Sequence, residues 1–246
     1  MKVQILALLL LVQFFPGNTQ EINLDKDLVA RYLFNGNARN EVEDKNHGEE
    51  TSVRYETDRF GNTAACVFMT GQTSYITIPH TDDLNWDARS ESYSIAFWVK
   101  SPDPTAGSNT SRRVLSKWHE VLSESYPYSF QLSFEIMAAN IFDHTSAGMA
   151  CTLNNPWDGE WQHAAMVYSH ETNTLSSYLN GKLVVSNTRT FKESTANSAD
   201  IYIGRTYTPV VEGFYQGHFD DLYFYDRAIE DCEIETLYSG DLLNER

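Results

Sequence analysis

Asp220 and Asp221 adjoin at the start of a C-terminal apolar run, and Asn35-Gly36-Asn37 closes an N-terminal one. Carboxylates, amides and backbone carbonyls are the oxygens that a calcium ion gathers six to eight at a time. Strand alternation would send Asp220 and Asp221 to opposite faces, leaving one side chain able to ligate. The plainer alternative is two solvated acids at a strand end. Cleavage of a glycosidic bond would need two carboxylates about 5–10 Å apart. Acids at alternate positions of one strand would supply them, and no such spacing occurs. Glu41-Val42-Glu43-Asp44 and Glu49-Glu50 read as a charged loop, and Glu135 stands alone on its strand. Trp118-His119-Glu120 and Phe142-Asp143-His144 each set a histidine beside an acid, but neighbours along a strand point apart. Neither a Gly-x-Ser-x-Gly elbow nor a His-Glu-x-x-His helix is present. These residues favour binding over catalysis.

A sugar would be held by aromatic faces against its C–H groups, with amides and carboxylates on its hydroxyls. The chain has 5 Trp and 14 Tyr. Trp86, Trp118, Tyr126, Tyr128, Trp157, Tyr207 and Tyr215 fall in or beside expected loops, where partial burial is the competing role. Trp98 and Trp161 lie within strands and read as core. No spacing marks a sugar site, so no ligand-contacting residue is assigned.

A formal net charge of −16 argues against bulk nucleic-acid binding, because such a surface repels phosphate backbones. Lys2, an apolar run from Val3 to Phe15 and the breaker pair Pro16-Gly17 read as a secretory signal over residues 1–20. That run is shorter than a membrane span, and no later segment is apolar enough to be one. The expectation is a secreted, extracellular protein, or a periplasmic or cell-surface one if bacterial, with residues 21–246 forming one domain. Removing Lys2 with the signal leaves 17 basic and 34 acidic residues, a net charge of −17. Export permits disulfides. Cys66, Cys151 and Cys232 allow at most one bridge, in three pairings that the sequence leaves open, and their spacing matches no zinc or redox motif. Asn109-Thr110-Ser111 is a glycosylation sequon.

Most of the chain reads as short strands. Tyr75–Ile78, Tyr93–Val99, Tyr128–Ile136, Trp161–Tyr168, Leu175–Leu179, Lys182–Val185, Ile201–Gly204 and Phe219–Tyr225 alternate or are rich in aromatic and β-branched residues. Asn180-Gly181 reads as a two-residue hairpin turn, since both residues tolerate positive φ. One short helix is expected within 226–238, with Ile229, Ile234, Leu237 and Tyr238 on one face and Gly240 as its stop. The fold expected is all-β: a two-sheet antiparallel jelly-roll sandwich with one short C-terminal helix.

Phrases spread along the chain carry a resemblance. They are Leu28–Ala38, Tyr75–Pro79, Tyr93–Lys100, Trp161–Tyr168, Tyr178–Lys182, Ile203–Arg205 and Gly217–Ile229. In that order they resemble the laminin-G-like, concanavalin A-like lectin/glucanase jelly-roll domains of secreted and cell-surface proteins. The resemblance implies two antiparallel sheets of about six or seven strands each, with the first and last strands neighbours. It also implies a structural calcium ion between those chain ends, with Asp220 as side-chain ligand and Asn35 and Gly36 supplying oxygens from the other strand. His163, shortly after a Trp, is similar to a packing residue of the family. The likeness lapses after Asn37, where relatives carry an Asp and a Ser-Gly-Asn turn and this chain reads Arg39 to Gly48. It lapses again in the long aromatic insert Trp118–Tyr128. The function implied is a secreted, non-catalytic module for carbohydrate recognition or adhesion, with a glycan or extracellular protein as partner. A glycoside hydrolase or polysaccharide lyase relative and a protein–protein adhesion module are the alternatives, because one fold hosts all three.

Overall fold

The structure, a computed structural model, describes residues 22–101, 112–118, 125–133, 136–145, 147–154, 159–205 and 214–240. The expected signal segment, the Asn109 sequon, Trp157, Tyr207, His119, Glu120 and Glu135 lie outside them.

In chain order the strands are β1 (Leu28–Tyr32), β2 (Glu49–Thr51), β3 (Arg54–Glu56), β4 (Cys66–Thr70), β5 (Tyr75–Ile78), β6 (Tyr93–Lys100), β7 (Arg112–Ser116) and β8 (Tyr126–Ser133). They continue with β9 (Ile136–Phe142), β10 (Gly148–Asn154), β11 (Gln162–Ser169), β12 (Thr174–Leu179), β13 (Lys182–Thr188), β14 (Ile201–Ile203) and β15 (Gln216–Tyr225). One helix, α1 (Asp231–Ser239), follows. Sheet I runs β13-β12-β11-β6-β15-β4-β3, with β1 also on β15; sheet II runs β10-β9-β8-β7-β14-β5-β2. All these pairings are antiparallel, as a jelly roll requires.

Alternate residues of each sheet meet in one core. Ile95, Phe97, Met166, Leu175, Phe219 and Phe224 face inward from sheet I, and Ile76, Phe130, Met137, Ile141, Met149 and Ile203 from sheet II. Phe97 stands edge-on to Phe130 at 4.7 Å and stacks on Phe219 at 4.9 Å, joining the layers with favoured ring geometry. The strand expected over 128–136 is instead two strands. β8 and β9 form a hairpin with Ser133 opposite Ile136, since apolar alternation on both arms mimics one long strand. Glu49 and Glu50 belong to β2 rather than to a loop, because they pair with Thr77 and Ile76 of β5; Glu50 Oε1 also accepts from Tyr55 Oη at 2.6 Å and Ala38 N at 3.1 Å. The Asn180-Gly181 turn forms as expected, with φ of 50° and 77°.

Both faces of β6 are buried, because α1 roofs the outer face of sheet I. Ala96, Ala165, Val167, Tyr178, Tyr223 and Tyr225 form a second cluster there with Ile229, Ile234 and Leu237. Ile229 precedes the helix and joins Ile234 as a hydrophobic staple around the Glu230–Glu233 capping box. Gly240 closes the helix at φ 69°. Glu233 also receives both Arg227 guanidinium nitrogens at 2.6 Å. Glu233→Ala removes cap and ion pair together; urea unfolding is expected to show a loss of about 1–2 kcal/mol.

Candidate functional site

The expected neighbourhood of first and last strands is present. β1 pairs with residues 222–225 of β15, while β4 pairs with residues 216–219 along the same edge. Asp220 and Asp221 fall at the junction. Here β15 bulges against β6, between the pairs Asp220–Trp98 and Tyr223–Ala96, and Asp221 takes φ 48°. The extra residue breaks strand alternation. The expectation that the two acids point apart is therefore corrected: both carboxylates reach one guanidinium.

That guanidinium belongs to Arg59. Its Nη1 donates to Asp220 Oδ2 at 2.8 Å and its Nη2 to Asp221 Oδ2 at 2.5 Å. The arginine side chain is 7% exposed and both acids 0%. Trp98 and Phe60 present ring faces to the cation at 4.4 and 4.3 Å, within cation–π range. Trp98 stacks on Tyr238 of α1 at 5.7 Å and lies 5.3 Å from His163. Burial, then the nearby Arg59 charge, pushes the His163 ring down to about 3, so it packs as a neutral side chain.

The residues expected to hold calcium do not fit that ion. A divalent cation at Asp220 would face a guanidinium already seated on the carboxylate. Asn35 and Gly36 lie in an exposed turn after β1, where the Asn35 carbonyl accepts from Asn37 Nδ2 at 3.0 Å. The following loop uses its own oxygens: Asp44 takes Arg39 at 2.8 Å and His47 at 3.0 Å, and Asn40 Oδ1 takes the amides of Arg31 and Val42. Of the one bridge or none that the three cysteines allow, none is formed: Cys66 and Cys151 are buried, donating to Thr57 O and Leu175 O, and Cys232 is exposed on α1. Asp143 and His144 lie in the turn after β9 and have separate partners. Asp143 caps a turn through Thr145 N and Ala147 N, and His144 Nε2 lies 3.4 Å from Ser125 Oγ.

Of the loop aromatics, Trp86, Tyr128 and Tyr215 are core. Trp86 stacks on Tyr93 at 5.0 Å, Tyr128 donates to Leu84 O, and Tyr215 donates to Lys100 O. Trp118 and Tyr126 instead lie on the outer side of sheet II, Trp118 half-buried and Tyr126 buried at 9% exposure. There Phe142 lies 4.8 Å from Tyr126, and Tyr126 lies 5.9 Å from Trp118. The Arg113 guanidinium stands 5.4 Å from the centre of the Trp118 ring, and its backbone bridges Phe214. Arg205 continues the row, 4.4 Å from the ring of Tyr75, 5.2 Å from Tyr202 and 5.7 Å from Phe214. Gly148 makes room for one end, since a Cβ there would meet the Phe142 ring at 2.5 Å.

Sequence reasoning missed Arg59, Arg113 and Arg205, whose partners are supplied by distant segments. It also missed Lys117. Its ammonium is fully buried, 2.6 Å from Ala199 O and 3.0 Å from His80 Nδ1, and burial brings it down from 10.5 to about 8.

Two stacked antiparallel sheets in this strand order, with a helix on one outer face, make a jelly-roll sandwich. The chain belongs to the concanavalin A-like lectin/glucanases superfamily, whose Laminin_G_3 family profile matches residues 70–235. Among solved structures it is similar to the binding domain of Paraclostridial Mosquitocidal Protein 1 (TM-score 0.74, 13% identity, 89% of this chain and 53% of that one). It is likewise similar to the binding domain of botulinum neurotoxin serotype D (0.69, 12%, 89% and 52%). A third is the binding domain of botulinum neurotoxin DC in complex with SialylT (0.66, 10%, 89% and 52%). The chain spans about half the length of those domains, and at these identities the likeness is one of fold. No curated protein matches it in sequence.

Two measurements check this geometry. Excess EDTA is expected to leave the melting temperature unchanged, whereas Arg59→Ala, which strands two buried carboxylates, is expected to cost about 3–5 kcal/mol. Lys117 binds its proton more weakly folded than unfolded. The cost of its burial is full below pH 8 and fades as pH rises from 8 to 10.5. Stability should therefore climb across that window, and Lys117→Met should flatten the climb.

Proposed function

We propose that this chain is an exported, non-catalytic glycan-binding module whose binding face is the outer face of sheet II. The observation that carries the reading is the row Phe142, Tyr126, Trp118, Phe214, Tyr202 and Tyr75, crossing that face with Arg113 and Arg205 set among its rings. Ring faces set along a sheet suit the C–H faces of successive sugar units, and such stacking tolerates variety in the ligand. Gln131, half-buried on β8, stands on the same face, where an amide can bond a sugar hydroxyl. The opposite outer face is closed by α1. Among the described residues no helix packs on the outer face of sheet II.

The non-catalytic part of the reading is supported by the acids that the fold does bring together. Asp220 and Asp221 are neutralised and roofed by Arg59, Trp98 and Phe60, away from the aromatic row. Export rests on the character of residues 1–20. The superfamily includes lectins by name, and one structural neighbour was solved in complex with SialylT; both are compatible with the reading.

A glycan array probed with the chain, with and without calcium, is expected to show binding that is the same in both conditions. Trp118→Ala combined with Tyr126→Ala should reduce it about tenfold or more, each lost stacking ring being worth about 0.5–1.5 kcal/mol beyond its buried area. Retained binding by a folded double variant would refute the assignment of this face. Turnover of a polysaccharide by the wild type would refute the non-catalytic reading.

A further inference from the structure

At the ends of the two sheets stand β13 and β3, and β10 and β2. An end strand keeps a row of unpaired N–H and C=O groups, a template for another chain, and proteins usually shorten, cover or charge such strands. β2 and β3 have three residues each, and β10 alternates buried Met149 and Cys151 with exposed Ala150 and Thr152. β13 is different. It has seven residues, six of them exposed, and among the described residues only β12 pairs with it. A bulge opposite Ser177 and Tyr178 adds Val184, and Leu183 and Val184 stand next to each other at 52% and 49% exposure. Val185 to Thr188 then run in regular register with Ser177 to Thr174. Tyr238, itself exposed, packs over Gly181 at the near end, since a Cβ there would meet its ring at 3.0 Å.

The strand is held extended by its own neighbours. Ser186 and Thr188 share hydroxyl bonds with Ser176 at 2.8 Å and Thr174 at 3.1 Å, and Asn187 Nδ2 donates to the Ala150 carbonyl of β10 at 2.5 Å. A preformed edge lowers the ordering cost of adding a strand to it. Only another extended backbone can complete its N–H and C=O row, so the fitting partner is a chain segment that adds as a further strand. Charge decides which one. Residues 172–192 contain Lys182, Arg189 and Lys192 and no acid, in a chain of 34 acidic and 18 basic residues. All three cations are exposed. A second copy pairing antiparallel through its own β13 would set the Lys182 end of each strand against the Arg189–Lys192 end of the other, and like charges across a ladder repel. An acidic segment meets opposite charge at both ends.

We propose that β13 is a docking edge for an extended, acidic peptide segment of another protein, which joins sheet I as a further strand with apolar side chains against Leu183 and Val184. This edge is separate from the outer face of sheet II, and the proposal does not depend on the glycan reading. The chain's overall negative charge opposes an acidic partner at long range. Salt screens that repulsion beyond about 8 Å, leaving the hairpin's own cations to act at contact.

The test is fluorescence anisotropy with the whole chain and three dye-labelled, end-capped octapeptides. One alternates glutamate with valine, a second alternates lysine with valine, and the third is the first with every backbone nitrogen methylated. The acidic peptide is expected to bind about tenfold tighter than the basic one. Methylation removes the backbone donors and keeps the charge, and should weaken binding about tenfold or more. Lys182→Glu combined with Arg189→Glu should invert the preference for acid over base, and Leu183→Ser combined with Val184→Ser should weaken the acidic peptide about tenfold. All four positions are exposed, and an unchanged melting temperature shows that the variants fold; the methylated peptide decides on the wild type alone. Equal affinity for acidic and basic peptides, indifference to methylation, or binding to no peptide overturns the proposal. So does dimerisation in sedimentation velocity that the double serine variant abolishes, since the edge then serves a second copy. Binding of the wild type to phosphatidylserine vesicles but to no peptide overturns it too, and assigns the exposed pair to a membrane.

Discussion

The buried ion pair at the centre of sheet I is the constraint on which the rest is arranged. β15 must serve three neighbours: β6 along one edge, and β4 then β1 end to end along the other. A regular strand would leave the join between β4 and β1 facing an unbroken ladder. The bulge at Asp220–Asp221 shifts the register there, and the price is two carboxylates with no access to water. Arg59 makes them tolerable. Its fork meets both acids, and Trp98 and Phe60 flank the cation. Tyr238, stacked on Trp98, ties the helical roof to the same assembly. A metal ion is the other familiar way to hold acids between chain ends. An arginine does so with a covalently attached charge, independent of what the solvent contains.

The two outer faces divide accordingly. Sheet I turns its outer side into a second core under α1, where Tyr223, Tyr225, Ile234 and Leu237 are buried. The outer side of sheet II carries rings, amides, hydroxyls and two arginines instead, several of them buried. The inner faces meet in a core of interlocked aromatic and aliphatic side chains.

Much of the architecture was legible along the chain. Alternation located β5, β6, β11, β12 and β15 to within a few residues, because a period of two survives whenever one face is buried. Asn180-Gly181 announced its turn, since few other pairs accept positive φ twice. Ile234 and Leu237 with Gly240 announced the helix and its end. Other elements were illegible for physical reasons. β2 and β3 are three residues each and too short to show a period. The β8–β9 hairpin continues its alternation through the turn and looks like one strand. Trp86, Tyr128 and Tyr215 sit near loops in sequence but inside the sandwich in space.

The sequence by itself determined the class of fold, where many of its strands fall along the chain and the closing helix, because those depend on side-chain periodicity and turn chemistry, which are local. It also supplied the acids, the rings and the arginines. Only the tertiary structure decided how they combine. Arg59 is more than 160 residues from Asp220, and Arg205 meets the rings of Tyr75, Tyr202 and Phe214. Which charge neutralises which acid, and which ring faces outward, follows from strand order and from one bulge. Neither is written in any local pattern, since both arise only when distant segments compete for the same edge of one strand.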